Sequence, residues 1–200
     1  MRLLLSALVA SMCFCAAAAA APASTGAPAP AFTINDTAGR SVSLADYRGR
    51  FVVLEWTNPE CPFVQKHYVS GNMQGLQKEW GAKDVVWLSI NSTNASHGEF
   101  HSGEQMAAWM RVQGGAPKAT LIDGTSAAGR AYGARTTPQM FVVDPAGRLI
   151  YAGAIDDRRS THPADVKGAN NYVRAALAEA TAGKPVSVPS TTPYGCSVKY

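Results

Sequence analysis

The stretch Phe51-Val52-Val53-Leu54-Glu55-Trp56-Thr57-Asn58-Pro59-Glu60-Cys61-Pro62-Phe63-Val64 decides how this chain is read. Residues 51–56 are apolar and β-favouring apart from Glu55, the composition of a buried strand. Thr57 to Glu60 form a turn with a proline, and Cys61 opens a segment of helical character. A cysteine at a strand-to-helix junction sits at the positive end of a helix dipole, where backbone N–H groups stabilise a thiolate. Cys61 is therefore read as a nucleophile. The bland alternative is a small buried residue with no chemistry.

Working outward, the 200 residues with 46% hydrophobic content suit one globular domain with a sheet and covering helices. The formal charge of +4 comes from scattered Lys and Arg without a basic cluster, which argues against nucleic-acid binding. Arg2, the apolar run from Leu3 and the small residues through Ala23 read as a signal peptide over 1–23. The apolar part is shorter than the ~20 residues of a membrane span. The expectation is an exported, periplasmic protein without a membrane span in its mature form. Removal of the leader takes Cys13 and Cys15 with it and leaves Cys61 and Cys196 in an oxidising compartment.

Residues 24–31 read as a mobile Pro/Ala/Gly linker, 32–182 as the folded domain and 183–200 as a long flexible tail carrying Cys196. Within the domain, alternation around Asp36 to Arg40 predicts an N-terminal hairpin. Strands are expected at 51–56, 85–90, 119–122, 139–143 and 148–153. Helices are expected from 62 to about 80 (kinked near Gly71 and Gly75), 104–113, 127–132 and 163–182. The order implies an α/β fold, a central mixed sheet flanked by helices.

Three segments resemble the thioredoxin-like superfamily, specifically redoxins related to alkyl hydroperoxide reductase and thiol-specific antioxidant proteins. They are Leu54 to Val64, Thr137-Pro138-Gln139-Met140-Phe141-Val142-Val143-Asp144 and Gly153-Ala154-Ile155-Asp156-Asp157. The tail Gly195-Cys196-Ser197-Val198-Lys199 looks like one sub-branch of these proteins. The resemblance implies a thioredoxin-like fold and a thiol-dependent oxidoreductase without a cofactor. Cys61 matches the first cysteine of the thioredoxin motif, but Val64 stands where its partner would be. Asn58 holds the place of a peroxide-binding hydroxyl, beside Thr57, and Leu54 that of a proline. Pro138 matches the cis-proline facing the active cysteine, so the Thr137 backbone is expected to bind a thiol substrate like an added strand.

Glu55, in an apolar strand, has two readings: a buried proton carrier for thiol exchange, or a half-exposed acid paired with a lysine. Cys196 also has two: a resolving thiol that closes a disulfide with an oxidised Cys61, or a structural or free cysteine. His67 is off the helical face of Cys61, and His97 and His101 lie in a polar loop, so no metal site is expected. The substrates implied are a peroxide or a disulfide, with an unidentified thiol as electron donor. The competing reading is a non-catalytic binding or chaperone module with a structural disulfide.

Overall fold

The computed structural model describes residues 23–200; the expected leader, Ala23 apart, lies outside the described residues. The chain opens with an antiparallel hairpin of β1 (Thr33–Asn35) and β2 (Ser41–Ser43). Its turn is held by Asp36, whose Oδ1 accepts from the Ala38 and Arg40 amides, both at 2.9 Å. The main sheet then builds from β3 (Val52–Trp56), followed by α1 (Pro62–Val69), α2 (Asn72–Gly81) and β4 (Val86–Asn91). Next come α3 (Gly103–Val112), β5 (Ala119–Ile122) and α4 (Ala127–Tyr132). The chain continues with β6 (Thr136–Thr137), β7 (Gln139–Val143), β8 (Leu149–Gly153), α5 (Tyr172–Thr181) and β9 (Cys196–Ser197).

Five strands form one mixed sheet in the order β5-β4-β3-β7-β8. β3, β4 and β5 run parallel; β7 pairs antiparallel with β3, and β8 with β7. The central strands are near-continuous hydrophobic runs because both faces are covered. On one face Val53, Trp87, Met140 and Val142 pack with Val64, Tyr68, Met73 and Leu76 of α1 and α2 and Leu177 of α5. On the other, Leu54, Trp56, Leu88 and Phe141 pack with Ile34 and Val42 of the hairpin and Tyr132 of α4. Side chains alternate along β3, so Glu55 faces the α1–α2 side with Val53. The sheet, the helices on its faces and the N-terminal hairpin are those expected from the sequence.

Three expectations are corrected. The stretch 24–31 is no free linker: it lies along β8, with the Gly26 amide 2.8 Å from the Leu149 carbonyl and the Ala29 amide 2.9 Å from that of Gly147. The helix over 163–182 divides into a 3-10 turn, Pro163–Val166, and α5. Gly168, at φ +82°, turns the chain between them, and Asn171 caps α5 by accepting from the Arg174 amide at 2.8 Å. Lastly, the tail is not a flexible arm. It returns along β8, where the Ala152 amide donates to Pro189 O and the Thr191 amide to Ala152 O, and then crosses the edge at β6. The break near Gly71 occurs as anticipated: at φ +75° it separates α1 from α2.

Candidate active site

Cys61 caps the N-terminus of α1 and is only 1% exposed. Its placement follows from the turn before it, where Asn58 O accepts from the Cys61 amide at 3.1 Å and Asn58 Oδ1 from the Glu60 amide at 2.9 Å. The Thr137–Pro138 peptide bond is cis, and Cys61 Sγ donates to Thr137 O at 2.9 Å. The expected pairing of Cys61 with the cis-proline segment is thus present in the fold.

Cys196 stands on the same spot. In the antiparallel ribbon of β6 and β9, Cys196 is the register partner of Thr137, the residue whose carbonyl accepts from Cys61 Sγ, so the two cysteines meet at Thr137. Both thiols are free. Burial, then the neighbouring Cys61, push the Cys196 thiol up to about 12. The Phe63 amide, in the first turn of α1, acts in the opposite direction on the Cys196 sulfur. Cys196 therefore retains its proton at neutral pH.

The side chains of Thr57 and Asn58 are buried. Asn58 Nδ2 donates to Glu99 Oε2 at 3.2 Å, tying the turn to the loop before α3. The Thr57 and Thr137 hydroxyls are buried without a hydrogen-bond partner. Glu55 is wholly buried. Tyr68 Oη donates to its carboxylate at 2.8 Å, Trp87 Nε1 at 2.8 Å and Gln77 Nε2 at 3.1 Å. Desolvation still raises its pKa, against these donors. The alternative of a half-exposed acid paired with lysine does not fit this burial. Its hydrogen bonds run to Tyr68, Trp87 and Gln77 rather than to a cysteine.

Sequence reading missed a buried polar cluster that anchors the tail. Tyr194, two residues before Cys196, donates from Oη to Asp156 Oδ1 and lies 3.4 Å from His67 Nε2. Asn72 Nδ2 is 2.9 Å from His67 Nδ1, which assigns the ring proton to Nε2, facing Tyr194. Lys66 Nζ donates to Arg158 O at 2.6 Å and lies 5.7 Å from the Tyr194 ring centroid. Desolvation and the Lys66 charge lower the His67 pKa to about 3, so the ring is neutral. His67 is off the helical face of Cys61, and its contacts join nearby Asn72 to Tyr194 from the other end of the chain. The signal available was Asp156 itself, an acid directly after Ala154-Ile155. Among the described residues no group of three His, Cys, Asp or Glu side chains converges to hold a metal. His101 instead pairs with Glu60, Nε2 to Oε1 at 3.3 Å.

The chain matches the model of the AhpC/TSA family over residues 25–152 and belongs to that family. A search of curated proteins returned no match. An uncharacterized conserved protein from Geobacillus kaustophilus has a similar structure at 28% identity and a TM-score of 0.77, covering 88% of this chain and 92% of that one. A hypothetical protein from Sinorhizobium meliloti 1021 superposes with a TM-score of 0.75 at 24% identity, covering 88% and 94%. The thioredoxin domain of a thiol-disulfide oxidoreductase from Bacteroides vulgatus shares the fold at 19% identity, TM-score 0.53, covering 72% and 96%. Family and site together define a thioredoxin-fold thiol oxidoreductase.

Proposed function

We propose that the protein is an exported two-cysteine thiol oxidoreductase in which Cys61 attacks a small oxidant and Cys196 resolves the product. The observation that carries this reading is the meeting of the two free thiols beside Thr137. With peroxide, the Cys61 thiolate displaces one oxygen, giving Cys61 sulfenic acid and, with one proton, water. The Cys196 sulfur then attacks the sulfenic sulfur, forming the disulfide and releasing a second water. An external dithiol returns two electrons and two protons. With a small disulfide, Cys61 forms a mixed disulfide and Cys196 expels the second thiol. Pro138 and the Thr137 backbone hold the substrate sulfur, and the unpartnered Thr57 hydroxyl supplies a donor that Asn58, tied to Glu99, does not. We expect peroxide reduction to be modest on this account.

The test is peptide mass mapping of Cys61 and Cys196 before and after hydrogen peroxide, and again after a dithiol reductant. The expected result is a reversible intramolecular Cys61–Cys196 disulfide. Intermolecular bridges alone, or a bridge that resists reduction, would favour the non-catalytic module. Export is tested separately, by fractionation of the producing cells.

We also propose Glu55 as the proton carrier. Glu55→Gln is expected to slow thiol exchange near neutral pH by roughly a hundredfold, the lower end of the range for general acid–base groups. An unchanged rate-versus-pH profile with the fold intact would remove Glu55 from that role.

A further inference from the structure

Cys61 is covered by a strand of its own chain. β9 pairs with β6 so that Cys196 opposes Thr137 and Ser197 opposes Thr136. An external strand bringing its sulfur to Cys61 along the Thr137 edge would need the same register, and hence the place held by Gly195 to Ser197. From this juxtaposition we infer a specificity element: Gly195–Ser197 is a built-in occupant of the substrate-strand berth. It restricts Cys61 to small oxidants and obliges any extended thiol- or disulfide-bearing peptide to displace it. The inference rests on the proposed redox role of Cys61 and deepens it to the size of the substrate.

The occupant is short and fastened at its ends. Upstream, Tyr194 is 7% exposed and clasped by Asp156. Downstream, the Val198 amide donates to Arg135 O at 3.0 Å and Lys199 O accepts from the Asn94 amide at 2.7 Å. Tyr200 Oη donates to Ala134 O, with the Arg130 guanidinium 4.6 Å from its ring centroid. Between these clasps the ladder has only two residue pairs. An incoming strand remakes whatever main-chain hydrogen bonds it breaks, so exchange at this edge costs little once a clasp opens. Peroxide needs only a water-sized opening, whereas a peptide needs the whole ribbon.

Gly195 makes the close approach possible. At φ +141°, a Cβ placed there would lie 2.0 Å from Thr137 O and 2.6 Å from Thr137 C, against backbone that cannot swing away. Gly195→Val therefore pushes the strand off the edge without touching Cys61 or the sheet.

The experiment uses the full chain carrying Cys196→Ser, alone and with Gly195→Val or the milder Tyr194→Phe. Modification of Cys61 is followed by mass mapping of quenched samples. One probe is hydrogen peroxide. The other is an extended ten-residue peptide whose central cysteine carries a thionitrobenzoate group. The Cys61 thiolate attacks the peptide sulfur, a new S–S bond forms, and thionitrobenzoate leaves with the electron pair. The ratio of peptide rate to peroxide rate is expected to rise at least tenfold with Gly195→Val and by a smaller factor with Tyr194→Phe. An unchanged ratio in both variants overturns the inference. A second readout needs no chemistry at Cys61: hydrogen exchange at the Val198 amide with excess of the same peptide carrying alanine for cysteine. Faster exchange supports displacement, and unaltered protection at saturating peptide refutes it. A Cys61 inert to both probes in every variant would defeat the redox reading, while Val198 exchange still decides the berth.

Discussion

Cys61→Ser is expected to abolish turnover with peroxide and with small disulfides, a loss of roughly a thousandfold or more as for other removed nucleophiles. Cys196→Ser should behave differently, consuming one equivalent of oxidant and then stalling with Cys61 as sulfenic acid or moving up the oxidation ladder. The asymmetry follows from the site. Cys196 is pushed up to about 12 by burial and by Cys61, so it holds its proton while Cys61 carries the reaction. A serine at 61 keeps the fit under Thr137 but has no sulfur to oxidise. Stopped-flow oxidation of each single-site variant, with mass analysis of the products, distinguishes the roles. Equal reactivity of the two cysteines would remove the asymmetry on which the enzyme reading rests. Failure of both to outpace a simple thiol would leave a binding module.

What could be read from sequence tracks what is local. β3 and β7 are apolar runs because both sheet faces are covered, so their composition alone exposes them. Cys61 was legible because the strand, turn and helix around it are contiguous, and Pro138 because the pattern around it is specific. The 163–182 helix was overextended because Gly168 and Asn171 act through backbone angle and capping, which apolar spacing does not encode. For Glu55, sequence supplied an acid in an apolar strand; its partners Tyr68, Gln77 and Trp87 come from α1, α2 and β4 and only tertiary packing gathers them.

The tail was the largest misreading, for a physical reason. Pro, Ser and Thr between Lys184 and Pro193 resemble a solvated arm, since few of them bring hydrophobic area. Its order comes instead from polar contacts that composition does not reveal. Thr191 Oγ1 meets Tyr151 Oη at 2.7 Å and accepts from the Ala154 amide at 2.9 Å, and Tyr194 reaches Asp156. This fastening changes the chemistry assigned to Cys196. A resolving thiol on a free arm would have to search for Cys61, whereas here the two meet before oxidation.

The same cluster predicts a pronounced loss of stability in acid. His67 is completely buried, and desolvation followed by the Lys66 charge brings its pKa from 6.5 to about 3. The fold thus favours the neutral ring, while the unfolded chain takes up a proton near pH 6.5. The stabilisation is fully present above that pH and is lost as pH falls towards 3. At about 1.4 kcal/mol per pH unit, the His67 contribution declines by about 3 kcal/mol between pH 7 and pH 4. Glu55 acts in the other direction: its raised pKa favours the protonated carboxyl, so it supports the fold below about pH 4.5 and withdraws support as pH rises through its folded value. The comparison must therefore isolate His67. Urea unfolding of the natural chain and of His67→Gln, each at pH 7 and pH 4, does so by difference. The natural chain should lose about 3 kcal/mol more than the variant across that interval, whatever the variant costs at pH 7. Equal losses would mean that His67 takes a proton in the folded state as readily as in the unfolded one. The contact with Tyr194, and with it the buried anchor of the Cys196 strand, would then be open in solution.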